Sequence, residues 1–173
     1  MESAGGLCVT PALRSGILAA VAALILDQAS KLWLLFVFDL SRRGAVAVTP
    51  FLDLVLAWNT GISYGWFAES GATGQAVLVA VKAVAIVVLA VWMARSTTHI
   101  ATVALGLIIG GAIGNGIDRF AWGAVVDFAL LHVQMSGKTY NWYVFNLADC
   151  AIVAGVAGLL YDSFFGPTAA KAP

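Results

Sequence analysis

Long apolar stretches, separated by more polar connections, dominate the pattern of hydrophobic and polar positions along the chain. A helix needs about 20 consecutive, mostly apolar residues to cross the hydrocarbon core of a bilayer. Four stretches are long and apolar enough by this measure. The pattern therefore predicts four transmembrane helices, read from hydropathy as Ile17 to Phe38, Gly74 to Ala94, Ile100 to Ile117 and Phe145 to Phe165.

The two longer connections, residues 39–73 and 118–144, are expected on the same side of the membrane. An even number of spans places both termini on the other side. The first connection carries a strand-like run of apolar residues between Gly44 and the turn Asn59-Thr60-Gly61. It also carries aromatic rings of the kind that lie at headgroup level, at Trp58, Tyr64, Trp66 and Phe67. This segment is either an interfacial platform or a groove for an extended ligand.

The composition indicates a membrane protein. Hydrophobic residues make up 61% of the 173 residues and charged residues only 10%, whereas ordinary soluble domains have about 45–50% apolar residues. With no linker and no internal repeat, residues 1–173 are expected to form one domain. The first ten residues contain no apolar run, so the first span is expected to be a retained anchor and not a cleaved signal peptide.

Charge and residue counts exclude several kinds of function. The formal net charge is zero and there is no basic run, so no nucleic-acid partner is expected. Cys8 and Cys150 cannot form a disulfide framework. With two histidines and no paired Cys-x-x-Cys motif, no metal site and no cofactor are expected. Basic residues are divided almost evenly between the two sides of the bundle, so the positive-inside rule gives no orientation.

Asp127 and Asp149 are the candidate catalytic residues, because each lies among apolar neighbours. Acids at membrane depth usually face a protein interior or a watery cavity and have a function there. The start of a helix favours ionised Asp149, whereas the surroundings of Asp127 favour its protonated form. If the two are close in space, they provide the base and the acid of an aspartic peptidase. The structural alternatives are helix capping by Asp149 and pairing of Asp127 with Arg119 or Lys138.

Other polar positions are better explained as scaffolding. Asp27 and Lys31 lie four positions apart in the first span and can neutralise each other. Asn115, Asp118 and Arg119 share one helical face at the end of the third span, where paired polar groups usually hold helices together. The same span carries a stripe of small residues that lets another helix backbone approach closely, at Gly106, Gly110 and Gly114.

Five segments, taken in their order along the chain, resemble the lipoprotein signal peptidase family, also called signal peptidase II. They are Asp27-Gln28-Ala29-Ser30-Lys31, Asn59-Thr60-Gly61-Ile62-Ser63-Tyr64, Gly110 to Arg119, Val125-Val126-Asp127-Phe128 and Phe145-Asn146-Leu147-Ala148-Asp149. The resemblance implies a multi-pass aspartic peptidase of the bacterial inner membrane, with its termini in the cytoplasm and its active site on the extracytoplasmic side. It also implies a substrate, a prolipoprotein cut on the amino side of a cysteine that carries a diacylglyceryl group.

The resemblance also implies roles for individual residues. Asp127 and Asp149 would be the catalytic pair. Residues that bind substrate or support the site would be Asn59, Gly61, Asn115, Arg119 and Asn146, and the structural polar residues would be Asp27, Lys31 and Asp118. The first connection would form a small β-rich extracytoplasmic cradle over four transmembrane helices. The expected partners are lipidated prolipoproteins and membrane lipids, and the chain is expected to act as a monomer.

Two other classes of function fit parts of the pattern. A proton-coupled transporter would also place charged residues within spans, as at Asp27, Lys31 and Lys82. Against it, the two candidate acids lie near one surface and the chain has no inverted repeat. A serine peptidase would pair Ser30 with Lys31, but adjacent positions on a helix diverge by about 100°.

Overall fold

The computed structural model describes residues 10–60 and 71–166, with side chains for 10–60 and 80–166. Its helices are α1 (Pro11–Leu32), followed by a π-helical stretch (Trp33–Val37), α2 (Leu40–Arg43), α3 (Gly71–Arg95), α4 (His99–Trp122) and α5 (Leu147–Phe165). Its strands are β1 (Val46–Thr49), β2 (Leu52–Asn59), β3 (Val125–Met135) and β4 (Lys138–Phe145). Gly61 and the predicted aromatic positions Tyr64, Trp66 and Phe67 lie outside the described residues.

Three helical segments of the described chain are long and apolar enough to cross a membrane, namely Pro11–Val37, His99–Trp122 and Leu147–Phe165. They contain most of the spans predicted at 17–38, 100–117 and 145–165. Helix α4 continues beyond the third predicted span, through the polar residues Asp118 and Arg119 to Trp122. The predicted span at 74–94 lies within α3, whose first side chains are outside the described part.

The four strands form one antiparallel sheet in the order β1-β2-β3-β4. The strand-like run in the first connection is confirmed by β1 and β2. The long hairpin of β3 and β4 in the second connection was not predicted from the sequence. In the register of β2 and β3, Ala57 lies opposite Asp127 and Asn59 lies opposite Val125. This pairing brings the end of β2 to the start of β3, which follows directly from α4.

Helix α4 is the central helix of the bundle and packs against α1, α3 and α5. A Cβ atom added at Gly106 would overlap the carbonyl oxygen of Gly16, and one at Gly110 would overlap that of Ala20. The close helix contact predicted at the small-residue stripe is therefore confirmed, and the structure identifies α1 as its partner. On another side of α4, a Cβ atom at Gly111 would lie 2.5 Å from the carbonyl oxygen of Ala148, at the start of α5.

Candidate active site

A buried cluster around Lys31 joins α1 to α4. The Lys31 ammonium lies 2.8 Å from the Asp27 carboxylate and 2.7 Å from that of Asp118, and all three side chains are almost fully buried. Gln28 Nε2 also donates to both carboxylates, at 3.2 and 3.0 Å. The predicted pairing of Asp27 with Lys31 is confirmed, while the contact between Lys31 and Asp118 was not predicted. Neutralising Asp118 in this way allows α4 to continue beyond the predicted end of its span.

The same two carboxylates hold the backbone beside each candidate catalytic acid. Asp118 Oδ2 accepts a hydrogen bond from the backbone N–H of Val126 at 3.1 Å. Asp27 Oδ1 accepts one from the backbone N–H of Ala148 at 2.9 Å. Since Val126 precedes Asp127 and Ala148 precedes Asp149, the buried cluster positions β3 and α5 at the residues that carry the acids.

Asp149 lies in the first turn of α5, where it forms a reciprocal capping box with Asn146. The backbone N–H of Asn146 donates to Asp149 Oδ2 at 3.2 Å, and the backbone N–H of Asp149 donates to Asn146 Oδ1 at 3.0 Å. Asn115 Nδ2 donates to the other carboxylate oxygen, Oδ1, at 2.9 Å. The capping role considered for Asp149 is therefore present, and donors from two elements stabilise its carboxylate.

Asp127 lies on β3 with only 3% of its surface exposed. Asn146 Nδ2 donates to its Oδ1 at 2.6 Å, and Asn59 Nδ2 donates to its Oδ2 at 3.1 Å. Burial raises the pKa of the Asp127 carboxyl group; the hydrogen bond from Asn59 lowers it, and the charge of Asp149 raises it further. Within the described residues Asp127 forms no ion pair, so pairing with Arg119 or Lys138 is not observed.

Asn146 connects the two acids, because its side chain donates to Asp127 and its backbone N–H donates to Asp149. Its side chain also donates to Asn115 Oδ1 at 3.1 Å, and that oxygen accepts from Lys31 as well, at 3.0 Å. The fold thus brings acids from β3 and α5 into one hydrogen-bonded site. Such a site can hold one protonated and one ionised carboxyl group, the arrangement that acid–base catalysis by paired carboxyl groups requires.

Arg119 lies at the rim of the site, on the end of α4. Its Nη1 donates a long hydrogen bond of 3.5 Å to the carbonyl oxygen of Asn59. Its Nε is buried and has no hydrogen-bond partner among the described residues. An unmatched buried donor is costly, so a ligand carbonyl at this position would be favourable.

Gln28 is a supporting residue for which the sequence motifs predicted no role, although it lies within the first of the five segments. Its side chain contacts Asp27, Asp118 and the carbonyl oxygen of Gly114. Its position next to Asp27 in the motif is the signal that could have identified it. Among the residues that the structure describes, no group of three or more His, Cys, Asp or Glu side chains is arranged to hold a metal ion.

Residues 19–165 of the chain match the family model described as signal peptidase (SPase) II. The lipoprotein signal peptidase of Nitrobacter hamburgensis is 73% identical over 95% of this chain and 100% of its own length. That of Rhodopseudomonas palustris strain TIE-1 is 71% identical with the same coverage. A bacterial membrane enzyme solved by the in meso method at 2.3 Å resolution is 27% identical and has a TM-score of 0.71, with 92% of each chain covered.

Proposed function

Because the chain belongs to the signal peptidase II family, we propose that Asp127 and Asp149 form the catalytic dyad of its peptidase activity. Members of this family are aspartic peptidases, and the chain removes signal peptides from prolipoproteins. The observation that carries the assignment is the bridge made by Asn146, which donates a hydrogen bond to each carboxyl group.

The different surroundings of the two acids support different roles, one as the general acid and the other as the general base. The raised pKa of Asp127 favours a protonated carboxyl group, which can donate to the carbonyl oxygen of the scissile bond. Asp149 accepts N–H donors at both oxygens and lies at the start of a helix, and we assign to it the role of the base that takes a proton from water.

Hydrolysis then proceeds in two steps. The water oxygen attacks the carbonyl carbon while Asp149 takes its proton and Asp127 protonates the carbonyl oxygen. The resulting diol collapses as Asp149 protonates the leaving nitrogen, the C–N bond breaks, and Asp127 regains a proton from a hydroxyl group. The two carboxyl groups return to their starting protonation states.

The remaining polar residues have supporting roles in this proposal. Asn59, Asn115 and Asn146 hold the two acids through the hydrogen bonds described above. Arg119 receives a substrate carbonyl at its unpartnered Nε. Asp27, Lys31 and Asp118 are structural. Gly61, which lies outside the described residues, remains a predicted contact of the extended substrate.

We place the dyad at the extracytoplasmic surface of a bacterial inner membrane, with α3 as the fourth transmembrane helix and both termini in the cytoplasm. Asp127 and Asp149 lie at the end of the bundle where α4 ends and α5 begins. The rings of Phe36, Trp122 and Trp58 lie next to one another and are exposed at this end. Aromatic residues of this kind are typical of the membrane interface.

The proposed substrate is a prolipoprotein whose cysteine already carries a diacylglyceryl group, cut on the amino side of that cysteine. The acyl chains remain in the bilayer and hold the scissile bond at the depth of the dyad. Large exposed apolar side chains around the bundle, such as Leu18, Val84 and Val153, support this placement among lipids. One copy of the chain contains every residue of the proposed site, so we expect it to act as a monomer.

The test is cleavage of a lipidated precursor by the purified protein. Wild type should cut it, whereas Asp127→Asn and Asp149→Asn should each reduce cleavage by at least about a thousandfold, because Asn cannot transfer the proton. Both variants keep the size of the side chain and should remain folded and inserted. Full activity in either folded variant would reject the dyad.

A matched precursor without the diacylglyceryl group tests the role of the lipid. It should be cut much more slowly by wild type, because the scissile bond is no longer held at the correct depth. Equal cleavage rates for the two precursors would contradict a role of the diacylglyceryl group in positioning the scissile bond.

The other two functions have less support. The Lys31 ammonium is held by Asp27 and Asp118, and Ser30 Oγ donates to the carbonyl oxygen of Asp27 at 2.8 Å. No pairing of Ser30 with Lys31 is formed, so Ser30→Ala should retain activity and serves as the control. A transporter is not favoured, because the highly identical relatives are lipoprotein signal peptidases over their full length.

A further inference from the structure

Lys82 is a partly buried lysine of α3 to which the proposed mechanism gives no role. Among the described residues it forms neither an ion pair nor a hydrogen bond, in contrast to the fully paired Lys31. A charged residue within a membrane span is costly and usually marks a functional contact. Its ammonium therefore has donors available for a ligand.

The position of Lys82 places its ammonium group at an apolar cavity of the bundle. It lines a cavity of about 310 Å³ between α3 and α4, together with Ile113, Ile117 and Phe120. Ile117 is 41% exposed and Phe120 is 92% exposed, so this cavity borders the surface that faces the lipid. Lys82 also lies within electrostatic range of Arg119 and Asp149. The cavity is thus apolar and has on its wall one ammonium group that interacts electrostatically with Arg119 and Asp149.

We propose that Lys82 donates hydrogen bonds to the ester carbonyl groups of the substrate's diacylglyceryl moiety, while the cavity between α3 and α4 receives the first part of an acyl chain. The proposal rests on the proposed function and adds a residue that determines specificity. It assigns Lys82 to binding of the lipid and not to the proton transfers.

The chemistry of the substrate matches this site. The glycerol is attached to the sulfur of the cysteine next to the scissile bond, so its two ester groups lie a few bonds from the dyad. Ester carbonyls are uncharged acceptors that accompany acyl chains into an apolar environment. An ammonium donor is stronger there than in water, because the surroundings have a low dielectric constant.

The experiment combines two substrates with three enzymes. Lipopeptides of identical sequence carry either a diacylglyceryl group or a dialkylglyceryl ether group, which has the same chains but no carbonyl oxygens. Wild type, Lys82→Met and Lys82→Arg are compared by kcat/KM on each substrate. Wild type should prefer the ester by about tenfold or more, the size expected for a charge-assisted hydrogen bond. Lys82→Met should lose this preference and Lys82→Arg should keep most of it.

The ratio of kcat/KM for the ester to kcat/KM for the ether separates specific binding from other roles of Lys82. A purely structural role, or an effect of its charge on Asp149, would slow both substrates equally and leave the preference unchanged in Lys82→Met; that result would overturn the proposal. If Lys82→Met does not fold, Lys82→Gln provides a neutral replacement, which should weaken the preference. Lys138→Met, an exposed change on the hairpin of β3 and β4, should leave it unchanged.

Failure of this inference can be distinguished from failure of the proposed function. If wild type cleaves neither lipopeptide, the peptidase assignment fails. If wild type cleaves both at the same rate, the peptidase assignment stands and the role of Lys82 is rejected.

Discussion

At the scale of single residues, the two acids differ because their donors differ. Asp127 is buried on a strand and accepts from two asparagine side chains, whereas Asp149 lies at a helix start and also accepts from a backbone N–H. Asn146 takes part in both sets. A change at either acid or at Asn146 should therefore affect chemistry more directly than a change elsewhere in the bundle.

The pH dependence of cleavage follows from the raised pKa of Asp127. If protonated Asp127 donates to the scissile carbonyl, the rate falls as the pH rises through this raised pKa, because the donor is lost. The rate should also fall at low pH as the base becomes protonated, which produces a bell-shaped profile. Asn59→Ala removes a hydrogen bond that lowers the pKa of Asp127, so the alkaline limb should move to higher pH.

This prediction is checked by measuring kcat/KM against pH for wild type and Asn59→Ala, with Asn141→Ala on the exposed part of β4 as the control. The control should have the same profile as wild type. An alkaline limb that moves to lower pH in Asn59→Ala would contradict protonated Asp127 as the donor.

At the scale of elements, the start of α5 depends on a single N-cap residue. Asn146 Oδ1 accepts from the first turn of α5, and Asn146 Nδ2 donates to Asp127 on β3. The asparagine therefore fixes the distance between a helix and a strand that are not packed along their lengths. The element boundary and the candidate active site share the same residue.

Asn146→Ala should reduce both stability and activity. Loss of the N-cap should lower the free energy of unfolding by about 1 kcal/mol. Activity should fall by more than this loss of stability explains, because Asp127 loses its short hydrogen bond while remaining buried. Thermal unfolding in detergent and kcat/KM on the lipidated precursor provide the two measurements; an activity equal to wild type would contradict the positioning role.

At the scale of the whole molecule, the glycine contacts of α4 join the helices to one another, and the Lys31 cluster also joins the bundle to β3. One ammonium and two carboxylates join α1 to α4, and the carboxylates bind the backbone of β3 and α5. Removing one member of a buried ionic cluster leaves the other charges uncompensated, which is usually more damaging than the net stability of the cluster suggests.

Lys31→Met should lower the free energy of unfolding by about 3–5 kcal/mol, because Asp27 and Asp118 would be left as neighbouring buried carboxylates. Lys138→Met removes the same charge from an exposed site and should change it by less than about 0.5 kcal/mol. The free energies of unfolding of both variants can be measured in detergent. Equal stability of the two variants would contradict the structural role of the cluster.

Close packing of α4 against α1 gives a separate prediction. Gly110→Ala places a methyl group against the carbonyl oxygen of Ala20 and should cost about 1–3 kcal/mol. Gly116→Ala is the matched control in the same helix, since a Cβ atom there has no neighbour within 4 Å. If Gly116→Ala were as unstable as Gly110→Ala, the loss would have to be a general effect on the helix and not a clash with α1.

Hydropathy and local spacing predicted four spans, and three helices of the described chain are long and apolar enough to cross a membrane. They also predicted the strands of the first connection, the pairing of Asp27 with Lys31 and a close helix contact at the glycine stripe, but not that α1 is the partner. They did not give the end of α4, which continues beyond the predicted span through the polar residue Asp118. They also failed to show the hairpin of β3 and β4. In this hairpin β3 pairs with β2, which is distant in sequence, and local sequence patterns do not identify so distant a partner.

What the sequence determined by itself is the class of molecule and its family, because apolar length and the five ordered segments are properties of neighbouring residues; from the same segments it predicted Asp127 and Asp149 as the catalytic pair. Only the tertiary structure decided that the acids share one site. The decisive contacts, from Asp27 to Ala148 and from Asn146 to Asp127, join different elements. They form because a charged or polar group that is buried must find its partner inside the fold, wherever along the chain that partner lies.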